Sequence, residues 1–118
     1  MKTQHAGLSR ERWAAYPLGT QLLMIANEMN RASKLMASAD HGRLLSSYER
    51  VLALTDLTIG VNARRSLRRE LLRWRDLVAS LYIAPTAEPG THGEVFRALL
   101  QLHPETWRQL PYVTGARQ

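Results

Sequence analysis

The stretch LGTQLLMIANEMNRASKLMA, residues 18–37, decides the fold. Its apolar residues Leu18, Leu22, Ile25, Met29, Ala32 and Met36 step by four, three, four, three, four. Residues three and four apart share one helix face, so the stretch is an amphipathic helix with a single stripe to bury. The same rhythm returns twice. Leu44, Tyr48, Val51, Thr55 and Ile59 make a second seam, and Leu67, Leu71, Trp74, Val78 and Leu81 a third. Three such runs with no strand pattern of useful length between them predict an all-α antiparallel bundle.

The flanks fill in the rest of a single domain, residues 1–118. Ser9 can cap a short helix over 10–16, with Leu8 and Trp13 at the two positions of a hydrophobic staple. Pro17 suits the opening of the first long helix, expected over 18–37. Asp40-His41-Gly42 reads as a tight turn, and the second helix as 43–59 with Gly60 for its C-cap. Asn62 is expected to cap a third helix that continues to Ile83. Residues 85–93 hold two prolines and two glycines and read as the one linker. A shorter fourth helix with Val95, Phe96, Leu99, Leu100 and Leu102 follows, and His103-Pro104 ends it. Residues 104–110 are expected to restart as one or two turns, and 111–118 to form a flexible tail.

Composition excludes several function classes. The 118 residues contain no cysteine, which removes disulfides, thiolate nucleophiles and Cys-based zinc sites and fits a reducing compartment. No apolar run reaches the ~18 residues of a membrane span. Residues 1–16 carry Lys2, Arg10, Glu11 and Arg12 around no apolar core, so no signal peptide is expected and a cytoplasmic location is. The four histidines are scattered, and no metal, nucleophile or phosphate-loop motif stands out. No metal and no cofactor are expected.

The net charge of +6 is concentrated. Residues 62–83 carry Arg64, Arg65, Arg68, Arg69, Arg73 and Arg75 against Glu70 and Asp76, so +4 of the excess lies on one helix. On a helical projection Arg64, Arg68 and Arg75 share a narrow sector, with Arg65 and Arg69 beside it and Arg73 at the far edge. Such a face can lie along a phosphate backbone, where each contact releases counterions, or against an acidic protein. Solvated ion pairs such as Glu70 or Asp76 with Arg73 are the plainer account of the same charges.

Apolar residues also lie off the seams: Leu23, Met24 and Leu35, then Leu54 and Leu57, then Leu72 and Leu77. They need cover from the fourth helix or from a second copy of the chain, so a homo-oligomer is expected.

Three resemblances attach to particular residues. Ala39-Asp40-His41-Gly42 with Leu44, Tyr48 and Val51, preceded by Ala32 and Leu35, is similar to the turn and helices of one tetratricopeptide unit over 26–57. Leu44 stands where that repeat prefers alanine, and its terminal proline is absent. Residues 58–65 resemble the turn of a helix-turn-helix, but Asp56 and Ser66 stand where a small and an apolar residue belong. Arg97 and His103 match the R-x4–6-H signature of the HEPN ribonucleases, small helical bundles in which this pair cleaves RNA without metal at a dimer interface. Here Ala98 follows the arginine where a polar residue is usual, and Pro104 follows the histidine.

Three readings of function result. The first is a non-enzymatic helical interaction protein that self-associates. The second is nucleic-acid binding through the arginines of 62–83. The third, implied by the resemblance alone, is a metal-independent ribonuclease using Arg97 and His103.

Overall fold

A computed structural model describes residues 9–38 and 40–103. Among them are five helices: α1 (Arg10–Ala14), α2 (Leu18–Ala37), α3 (His41–Val61), α4 (Arg65–Ile83) and α5 (Pro89–Leu100). The fold is all-α. α2 packs on α3 and α3 on α4, α1 packs across onto α3, and α5 returns to close against both α4 and α2. Side-chain bonds fix the directions. Going from Glu28 back to Gln21 on α2 means going from Ser47 forward to Asn62 at the end of α3. Asp56 and Glu49 on α3 likewise meet Arg75 and Tyr82 on α4. Both pairs of helices are therefore antiparallel.

The seams form the core. Leu22, Ile25, Met29 and Ala32 of α2, Leu44, Tyr48 and Val51 of α3, and Leu67, Leu71, Trp74 and Val78 of α4 are all buried. Val95, Phe96, Leu99 and Leu100 complete it from α5. The short α1 is a plug. Ser9 caps it by accepting from the Arg12 N–H, and Trp13 is fully buried with its Nε1–H donating to Thr58 Oγ1 at 2.9 Å. Gln21 Nε2 then donates to the Trp13 and Tyr16 carbonyls, which fixes the bend between α1 and α2.

Several expected boundaries move, each for a local reason. Asp40, not the whole Asp-His-Gly phrase, makes the turn: it caps α3 by accepting from the Arg43 N–H, so His41 and Gly42 are already helical. Gly60 is not a C-cap. It lies inside α3, where Arg10 Nη2 donates to its carbonyl at 2.7 Å. A Cβ at that position would stand 2.9 Å from the same nitrogen, so glycine serves close approach rather than a left-handed turn. Asn62 does not cap α4 but ends α3, with Nδ2 donating to the Thr58 carbonyl and to Gln21 Oε1. The 85–93 linker is shorter than expected. Pro89 occupies the first turn of α5, where its missing N–H costs nothing, and Gly90 to Gly93 are helical. Residues 1–8 and 104–118 lie outside the described residues, and with them the expected staple partner Leu8, the restart at 104–110 and the tail.

The off-seam leucines of α2 and α3 find cover within one chain. Leu54 is buried, and Leu23, Met24, Leu35 and Leu57 are half-buried. On α4, Leu72 is 51% and Leu77 46% exposed, and Ile83 is 78% exposed, with no cover from the described residues. No helix among the described residues is long and apolar enough to cross a membrane.

Candidate functional site

The arginines of residues 64–75 do not form one continuous stripe. Arg75 faces α3 and is held by Asp56, with Nε donating to Oδ1 at 2.6 Å and Nη2 to Oδ2 at 3.2 Å. Arg73 pairs with Glu70 one turn earlier, at 3.4 Å. Arg64 precedes the helix, because α4 starts at Arg65 and Arg64 has extended backbone. Arg68 and Arg75 share one side of α4, as the spacing predicts, but Arg75 is engaged by Asp56 and Arg64 stands just before the helix. What remains is a cluster at the corner where α3 turns into α4: Arg64, Arg65, Arg68 and Arg69, all exposed and without an ion pair among the described residues.

The placement of this cluster is unfavourable for the fold alone. The first turn of a helix carries the positive end of the macrodipole. Acidic residues belong there, and α4 has none in its first turn and no side chain capping it. Arg64 and Arg65, at that end, each oppose the dipole at a cost of ~0.3–1 kcal/mol, and Arg68 and Arg69 follow in the next turn. Arg65 and Arg69 stand one turn apart, ~6 Å along the axis, and so do Arg64 and Arg68 approximately. A second helix contributes at the same end of the bundle, where Arg10 of α1 binds the Gly60 carbonyl just before the corner. A phosphate placed there reverses the unfavourable terms. It meets several guanidinium groups, which offer paired donors, and the uncapped N–H groups of the helix start.

Two buried polar clusters escaped the sequence reading. Glu28 on α2 is only 9% exposed. Its Oε2 accepts from Ser47 Oγ at 2.8 Å and pairs with Arg50 Nη2 at 2.9 Å, both on α3, while Arg31 approaches to 3.8 Å. Burial pushes the Glu28 pKa up, but the hydrogen bonds from Arg50 and Ser47 and the charges of Arg50 and Arg31 outweigh it, and the net direction is down. The second cluster is His92 on α5, expected in the linker but 1% exposed in the core. Its Nε2 lies 3.0 Å from the Met29 carbonyl, which only accepts, so Nε2 carries the proton. Nδ1 then accepts from the Tyr48 hydroxyl at 2.8 Å. Burial pushes the His92 pKa down, with the Met29 bond opposing, and pushes that of Tyr48 up, so both groups are held neutral.

Arg97 is exposed in the last turn of α5, whereas His103 lies beyond the Gln101 cap, half-buried. The two do not share a helix. No group of three His, Asp or Glu side chains able to hold a metal occurs among the described residues. Comparison with known proteins gives no match to a family model, to a curated protein or to a solved structure.

Proposed function

We propose that this protein is a helical interaction module that docks on the phosphate backbone of a nucleic acid through Arg64, Arg65, Arg68 and Arg69. One observation carries the reading. Four exposed arginines crowd the uncapped start of a long helix with no acidic partner among the described residues, at the end where the helix dipole disfavours cations. The other two arginines of the helix have partners, Glu70 and Asp56, so the corner and not the whole face is the contact. Contacts of this kind give affinity through counterion release and little sequence preference. The test is fluorescence anisotropy of the wild-type chain with a labelled duplex and a labelled single strand at rising salt. Binding at low salt that weakens linearly on a log–log plot is expected. Absence of binding at the lowest salt removes the proposal.

A second reading, self-association, is favoured by one observation. Leu72 and Ile83 are exposed eleven residues apart, so they lie on the same outward side of α4. Light scattering at high micromolar concentration tests it, and a strict monomer excludes it.

A further inference from the structure

The outward side of α4 carries a further seam. Arg65, Arg69, Leu72, Asp76, Ala79 and Ile83 step by four, three, four, three, four, the rhythm of the buried seams. They lie on the side of the helix opposite Leu67, Leu71, Trp74 and Val78, and all but the half-buried Ala79 are exposed. We infer that this seam is a two-fold interface: α4 of a second copy of the chain packs on it antiparallel, with Leu72 beside the axis and Arg69 of each copy paired with the partner's Asp76. The inference rests on the self-association reading and gives it a geometry.

Apolar surface drives the contact. Leu72 is 51% and Ile83 78% exposed, with no cover from the described residues. A repeat of 3.5 residues keeps a seam facing its partner along the whole length of two paired helices. Ala79 keeps the helices close, because the distance between axes follows the side chains at the contact.

Charge selects the orientation. The two cations of the seam stand in its first half and its one acid in the second. Parallel packing would set Arg65, Arg69 and Asp76 each against its own copy, like charge on like. Antiparallel packing about Leu72 sets position 69 across from position 76. One two-fold then makes two Arg69–Asp76 pairs, as a self-complementary contact requires. Neither Arg69 nor Asp76 is in an ion pair among the described residues. Arg73, also near the axis, is already paired with Glu70 of its own chain. Arg64 precedes the helix and Arg68 lies off the seam, so both stay open to a phosphate.

The test is sedimentation equilibrium of the whole chain from low to high micromolar concentration. Wild type should show a reversible monomer–dimer equilibrium. Asp76→Arg and Arg69→Asp should each weaken it by about tenfold, and the two together should restore it, because the pair is then reversed rather than removed. Leu72→Lys, at an exposed position, should abolish the dimer. The chain has no cysteine, so single introduced thiols report the orientation through a disulfide, which needs Cα atoms within about 7 Å. Leu72→Cys should cross-link under mild oxidation. Ile83→Cys should not, because antiparallel helices hold the two copies of that position roughly 30 Å apart. A strict monomer overturns this inference together with the self-association reading. Three results overturn this inference alone: a dimer that keeps wild-type affinity in Leu72→Lys and Asp76→Arg, a double variant no tighter than the single ones, or Ile83→Cys cross-linking as fast as Leu72→Cys.

Discussion

Arg75 on α4 grips Asp56 on α3 with two nitrogens of its guanidinium, at 2.6 and 3.2 Å. This pair separates arginines that hold the bundle from arginines that face outward. Both side chains keep solvent contact, at 35% and 53% exposure, so screening limits what the pair contributes. Arg75→Gln should cost no more than ~0–1 kcal/mol in urea denaturation. It should leave nucleic-acid affinity and its salt dependence unchanged. A large fall in affinity would place the contact along the helix rather than at its start.

Trp74 tests the packing of α5. It is buried in the α4 seam, and its Nε1–H donates to the Val95 carbonyl at 2.7 Å. Trp74→Ala should destabilise by ~3–5 kcal/mol through the cavity it leaves. Thermal and chemical unfolding that match wild type would show that this seam faces solvent.

Glu28 tests the buried ion pair. Glu28→Ala strands Arg50, whose side chain is 21% exposed and so keeps some hydration. The cost should fall at or below the low end of the ~3–5 kcal/mol expected when one partner of a buried pair is removed. Glu28→Gln, which still accepts from Ser47 and Arg50, should cost less. Equal losses in both variants would show that the charge, not the hydrogen bonding, does the stabilising.

Acid should lower the stability of the fold in two ranges of pH. The folded pKa of His92 lies below its ordinary 6.5, so its contribution is fully present above that value and is lost as pH falls toward the folded pKa. The folded pKa of Glu28 lies below its ordinary 4.5, so its contribution is lost only at more acidic pH, as pH falls through the folded value. Stability measured from pH 8 to pH 3 should therefore decline first below about 6.5 and again below about 4.5. His92→Gln should remove the first decline and leave the second. Persistence of the first step in that variant would assign it elsewhere.

Much of the fold was legible from spacing alone, because the heptad-like steps of Leu22 to Ala32, Leu44 to Thr55 and Leu67 to Val78 report burial directly. Glu28 was legible too, had its position been weighed above its charge. It falls three residues after Ile25 and four before Ala32, inside the buried stripe, as Ser47 does between Leu44 and Val51. His92 was hidden because Pro89, Gly90 and Gly93 read as linker, whereas proline in the first turn starts a helix as readily as it ends one. The arginine cluster was visible as composition. Its division was not, because Asp56 lies on another helix, and only the packing of α3 on α4 brings it to Arg75.

The most direct test of the account is the salt dependence of nucleic-acid binding in the triple variant Arg65→Gln, Arg68→Gln, Arg69→Gln. Glutamine keeps a long, helix-compatible side chain and removes only the charge. Because these cations oppose the helix dipole, the melting temperature should stay level or rise slightly. Affinity for a duplex should fall, and the slope of log K against log salt should shrink by up to ~0.9 for each lost phosphate contact. A folded triple variant that binds with the wild-type affinity and slope would contradict the central claim.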